Sequence, residues 1–159
     1  MRQIFAGLLA LLVVAGCGQR EPLRIGFLAG LSGSVADLGE AGRNGAQIAV
    51  EEINRGGGVN GRQVELIVRD DAQSSERAIA ATNELIALRV EGIVGPMTSA
   101  MAEVVLPIAQ QAGIVLVSPT VTAHKFHAQE DHLFLLLSST REEARLSAEF
   151  LFNENGARR

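Results

Sequence analysis

The sequence predicts an α/β fold, an open parallel sheet with helices on both faces. Three observations lead there. Short apolar runs at Leu23–Ala29, Val64–Val68, Gly92–Gly95, Ile114–Val117 and Leu133–Leu137 alternate with segments of helical periodicity from residue 23 to residue 153. The runs are rich in Val, Ile and Leu on both faces, as strands buried between two helix layers must be. The first 16 residues read as a leader, and removing them leaves 143 residues, enough for one domain with a sizeable core.

The elements follow in order. The first strand ends at the loop Leu31-Ser32-Gly33-Ser34, and a helix is expected from about Gly39 to Asn54. Ala46, Ala49, Val50 and Ile53 recur there at i, i+3, i+4, i+7, one face of a helix. Gly56-Gly57-Gly58-Val59-Asn60-Gly61 stops it and turns the chain. After the second strand, Asp70-Asp71 forms the strand end and Ser74 is positioned to cap a helix whose buried stripe is Ala78, Ala81, Leu85 and Leu88. Thr98-Ser99 opens the next helix, from Ala100 to about Ala112, with a kink or early end expected at Pro107. Arg141–Asn153 is expected to be the last helix, with Leu146, Phe150 and Leu151 on its apolar side.

In a fold of this kind ligands sit beyond the carboxyl ends of the strands, which here means the loops Leu31–Leu38, Asp70–Ser74, Pro96–Ser99 and Ser118–Lys125. Ser99 falls at a helix N-terminus, where free N–H groups and the helix dipole favour an anion. Thr120 and Thr122 straddle the end of the fourth strand, and their N–H and hydroxyl groups could complete a cup around a carboxylate. Ordinary capping by Ser99 and ordinary turn formation by the threonines are the alternative.

The N-terminus adds a second line of argument. Arg2 is a cationic start, Ile4 to Val14 is apolar apart from Gly7, and Val14-Ala15-Gly16 places small residues before Cys17, the only cysteine of the chain. This resembles a bacterial lipoprotein signal, with the Cys17 thiol as the point of lipid attachment and acyl chains holding a soluble domain at a membrane surface. The apolar run falls short of the ~18–20 residues that span a bilayer. Without the leader the chain carries 13 basic and 18 acidic residues, a formal −5, which argues against a nucleic-acid partner. A single cysteine excludes an internal disulfide.

Other constellations carry less. Asp70-Asp71 have diverging side chains on a strand end and read as turn and cap residues. His124 and His127, with His132, Glu130 and Asp131 nearby, lack the ligand spacing of a metal site. Nothing like G-x-S-x-G surrounds Ser99. Gly30, Gly33 and Gly39 do not fit a dinucleotide fingerprint and no phosphate loop is present, so neither catalytic residues nor a cofactor is expected.

Four segments in this order and spacing carry a resemblance: Ile25-Gly26-Phe27 with Leu31-Ser32-Gly33; Glu51-Glu52-Ile53-Asn54 with Gly56–Gly61; Val68-Arg69-Asp70-Asp71-Ala72; and Gly95-Pro96-Met97-Thr98-Ser99 with Ile108, Ala112-Gly113-Ile114 and Ser118-Pro119-Thr120. Over residues 22–159 the chain resembles the branched-chain amino acid binding proteins that serve ABC importers, of the type I periplasmic binding fold. The resemblance implies two lobes closing on an amino acid. Residues 1–16 would be the lipoprotein signal, 17–22 a tether, 23–137 the N-terminal ligand-binding lobe, and 138–159 the crossover and first helix of a second lobe that is missing, the fold being incomplete at the C-terminus. It further implies carboxylate donors from Ser99 and from Thr120–Thr122, a permease in the membrane as partner, and an extracytoplasmic location. The family often presents an aromatic residue near Leu38, whereas the mature chain has no Tyr or Trp. The rival reading is a structural or regulatory lipoprotein that uses the same fold to contact a cell-wall enzyme.

Overall fold

The computed structural model describes residues 20–153; the expected leader over residues 1–16, the expected lipid site Cys17 and the last six residues lie outside the described part. Five strands form one sheet: β1 (Leu23–Ala29), β2 (Val64–Asp70), β3 (Gly92–Val94), β4 (Val115–Ser118) and β5 (Leu133–Leu135). Their order is β2-β1-β3-β4-β5, and every neighbouring pair is parallel. Helices α1 (Ala36–Arg55), α2 (Ser75–Ala87), α3 (Ser99–Ala112) and α4 (Thr140–Asn153) complete the described chain.

Strand alternation divides the core in two. On one face Leu28, Ile93, Leu116 and Leu133 meet Ala78, Ala81 and Leu85 of α2 and Met101, Val105 and Ala109 of α3. On the other, Phe27 and Ala29 pack with Met97, Leu66, Val68 and Val94, and α1 contributes Ala46. Helices thus lie on both faces, but the α1 face is only partly covered. Ile25, Val94, Val115 and Val117 line an open groove there, and Phe134 on β5 is 58% exposed. No residue of α4 is buried, so Leu146, Phe150 and Leu151 face outward.

Several boundaries differ from the sequence reading for local reasons. A 3-10 turn at Gly33–Val35 runs directly into α1, which therefore begins at Ala36, and Leu38 sits in its first turn instead of a loop. At its far end Asn54 replaces missing ladder partners: its side chain donates to Val64 O at 2.8 Å and accepts from Val64 N at 2.7 Å. Leu88 is the residue beyond α2 and is exposed; Thr82 takes the place in the buried stripe, its hydroxyl bonded to Ala78 O at 2.7 Å. Pro107 does not end α3, which continues to Ala112 and closes on Gly113 in the left-handed region at φ 71°. Pro107 lies on the exposed side, where the carbonyl it leaves unpaired can meet water.

One close approach fixes α1 against the sheet. A Cβ on Gly39 would overlap the Gly30 carbonyl, so the helix can lie this near the β1 end only without a side chain there. Gly39→Ala should therefore lower stability by about 1–3 kcal/mol, read as a fall in urea midpoint. Helix propensity alone predicts the opposite sign, and a stabilised variant would contradict the packing.

Candidate functional site

Because all strands run the same way, the connections after β1, β2, β3 and β4 emerge along one edge of the sheet. Each is fixed by a side chain of its neighbour. Asp70 braces the first connection: Oδ1 accepts from Leu31 N at 2.8 Å and from Ala72 N at 2.8 Å, and Oδ2 accepts from the Ser32 hydroxyl at 2.8 Å. Burial pushes its carboxyl up, but these three hydrogen bonds and the Arg77 charge outweigh it and hold the pKa below the ordinary carboxylate value. Asp71 differs. It is fully buried; Oδ1 accepts from Gln73 N at 2.8 Å and Gln73 Nε2 at 3.1 Å, while Oδ2 has no partner among the described residues. Burial pushes this carboxyl up, against the pull of the two Gln73 bonds, and the Asp70 charge adds to the rise.

The third and fourth connections are stitched to each other. The buried Ser118 hydroxyl donates to Pro96 O at 2.7 Å and accepts from Val121 N at 3.1 Å. The Thr120 hydroxyl donates to Met97 O at 2.6 Å, and its N–H points to Ser118 Oγ at 3.4 Å. Ser99 Oγ accepts from Ala123 N at 3.3 Å. Thr98 caps α3, its Oγ accepting from Met101 N at 3.4 Å.

Ser99, Thr120 and Thr122 thus fall within one hydrogen-bonded cluster, with unequal duties. Ser99 is the first residue of α3; its oxygen accepts from Ala123, and its proton meets no acceptor among the described residues, which leaves it for an incoming one. The Thr122 hydroxyl takes no hydrogen bond among the described residues; its carbonyl accepts from Thr140 N at 2.9 Å and the Thr140 hydroxyl at 3.1 Å. Thr120 spends its hydroxyl proton on Met97 O of the neighbouring connection and its N–H on Ser118 of its own, so its side chain organises the cup. Leu38 is carried separately by the first turn of α1 and is 40% exposed. An α-helix N-terminus flanked by two available hydroxyl donors suits a carboxylate.

In sequence Asp70 and Asp71 read as turn residues, and no local pattern singles out Gln73. Asp70 does serve a turn, but its bond to Leu31 spans 39 positions, and no local pattern announces such a contact. Of the histidines, His124 lies in the fourth connection itself, in a 3-10 turn over His124–Phe126. His132 Nδ1 lies 3.2 Å from Ile114 O, and among the described residues no three His, Cys, Asp or Glu are grouped to hold a metal ion. No described helix is long and apolar enough to cross a membrane.

Residues 22–159 match the family model described as periplasmic binding protein. The Leu/Ile/Val-binding protein BraC3 of Rhizobium johnstonii is 37% identical over 77% of this chain and 33% of its own length. The leucine-, isoleucine-, valine-, threonine- and alanine-binding protein of Pseudomonas aeruginosa is 31% identical over 76% of this chain and 34% of its own length. Among solved structures, the branched-chain amino acid transporter substrate binding protein LivJ of Streptococcus pneumoniae, in complex with isoleucine, superposes with a TM-score of 0.80 at 31% identity, covering 86% of this chain and 39% of that one. The chain therefore spans about a third of the length of the curated relatives it matches.

The two adjacent carboxylates should show opposite pH signatures. Asp70, with a lowered pKa, stabilises the fold above the unfolded value of ~3.9 and loses that contribution as pH falls through its folded value. Asp71, with a raised pKa, is most favourable at low pH and costs stability as pH rises from ~3.9 through its folded value. In melts from about pH 3 to pH 7, the deficit of Asp70→Asn should grow with pH, while that of Asp71→Asn should shrink or reverse. Parallel trends for the two variants would contradict these environments.

Proposed function

This chain belongs to the periplasmic binding protein family, and on that premise we propose that it forms the first lobe of the solute-binding component of an ABC importer for branched-chain or related amino acids. The observation that carries the reading is the pairing of Ser99 with Thr122. Ser99 opens α3 with its hydroxyl proton uncommitted, and Ala123 N bonded to Ser99 Oγ draws the neighbouring Thr122 alongside. The ligand's carboxylate is received by these two hydroxyls and the first amides of α3; Thr120 holds the loops that present them, and Leu38 offers an aliphatic wall where relatives of this class often have an aromatic one. Binding is reversible and involves no covalent chemistry, so no catalytic residue is assigned.

The wider organisation belongs to the same proposal. Residues 1–16 direct export and are removed, Cys17 carries the lipid, 17–22 tether the lobe, 23–137 form it, and 138–159 lead toward a second lobe that closes over the ligand. A membrane permease receives the closed form, and the net negative charge of the chain fits no nucleic-acid partner.

Calorimetry on the whole receptor tests the site. Hydrogen bonds to a charged group contribute about 1.5–3 kcal/mol each, so Ser99→Ala or Thr122→Ala should weaken leucine binding about 10- to 100-fold, with little change in melting temperature for Thr122→Ala, while Ser99→Ala also releases the Ala123 amide. Thr120→Val should instead lower the melting temperature more than the affinity. Unchanged leucine affinity in both alanine variants would move the site elsewhere, and a wild-type receptor that binds no branched-chain amino acid would favour the scaffold role.

A further inference from the structure

The connection between β2 and α2 holds two consecutive non-glycine residues in the left-handed region, Ala72 at φ 45° and Gln73 at φ 55°. Such backbone is costly and persists where its surroundings impose it. Here the two carboxylates do so: Asp70 Oδ1 accepts from Ala72 N and Asp71 Oδ1 from Gln73 N, each at 2.8 Å. The result is to turn the Gln73 side chain back across the sheet edge toward α3. Its Nε2 donates to Asp71 Oδ1 at 3.1 Å, and its Oε1 accepts from the Thr98 hydroxyl at 3.0 Å.

The direction of this chain of bonds is fixed by chemistry. The Asp71 oxygen also receives the Gln73 backbone N–H, which marks it as the acceptor, so the amide turns its NH2 toward Asp71 and its oxygen toward Thr98. A hydroxyl has one proton. Thr98 gives it to Gln73 and therefore presents a lone pair to Met101 N, the cap of α3. With the Met101 amide engaged, the amides of Ser99 and Ala100 are the ones left facing outward from the helix start. The relay ends one residue before Ser99.

We propose that Gln73 is a positioning residue for ligand binding, linking the buried Asp71 to the Thr98 cap so that the α3 N-terminus and the Ser99 hydroxyl are held ready for an anionic ligand group. The inference rests on the solute-binding reading above. Gln73 itself makes no contact with ligand in this account; without it the Thr98 proton loses its acceptor, the cap is free to rotate, and Ser99 loses its fixed bearing.

The test uses the whole receptor with leucine as the probe, comparing wild type, Gln73→Met, Thr98→Val and the double variant by calorimetry and thermal melting. Gln73→Met keeps the size and removes both polar atoms. Loss of an organised cap should weaken leucine binding about fivefold. The double variant should be no weaker than Thr98→Val alone, because both cut the same link. Wild-type affinity in Gln73→Met, or losses that add in the double variant, would overturn the proposal; a lowered melting temperature with unchanged affinity would do the same, since that marks a merely structural residue. Should Gln73→Met melt too early to assay, Thr98→Val breaks the same bond from the other end, and its unchanged affinity overturns the proposal equally. If wild type itself fails to bind any branched-chain amino acid, the solute-binding reading falls first and this inference with it.

Discussion

A parallel sheet ends all its strands at one edge, and every loop leaving that edge carries backbone groups that need partners. In this chain short polar side chains supply them, each reaching from one connection to the next. Asp70 holds the first connection, Ser118 and Thr120 hold the third, and Ser99 holds the fourth. The candidate site depends on this stitching. Bonds of 2.6 Å from Thr120 and 2.7 Å from Ser118 set the Pro96-Met97 segment on which α3 begins, and the direction of α3 sets where its free amides point.

The same constraint explains how duties divide among similar residues. Thr120 and Thr122 differ by two positions and bear the same group, yet one hydroxyl is spent inside the fold and the other has no partner among the described residues. Asp70 and Asp71 are adjacent, yet one is stabilised as a carboxylate by three donors and the other is buried with an oxygen unpaired. For the aspartates alternation at the strand end accounts for this, since adjacent residues there face different surroundings.

The fold was legible because its signals are local and redundant. Leu23–Ala29 and Val115–Val117 are apolar runs too short for helices, and Ala78, Ala81 and Leu85 repeat at helical spacing. Misplaced details had physical causes. Leu88 continued a periodic pattern past the end of α2, and Pro107 is tolerated because it faces outward. The site was legible only in part. Ser99 could be located from its place at a helix start, and Thr120 and Thr122 from the end of a strand. Their partners could not. Gln73 meets Thr98 across 25 positions and Asp70 meets Leu31 across 39, and such pairs become neighbours only once the sheet order is known. Likewise the apolar stripe of α1 gave its direction but not its cover: Ala46 and Val50 are half-buried, while Ala49 and Ile53 remain exposed above the sheet.

The most direct measurement is a crystal structure of the whole receptor with leucine bound. The account predicts the ligand's carboxylate at the start of α3, within about 3 Å of Ser99 Oγ and of the Ser99 or Ala100 amide, with the Thr122 hydroxyl on the same group and Gln73 still joined to Thr98. Leucine seated elsewhere, or turned so that its carboxylate faces away from α3, would contradict it.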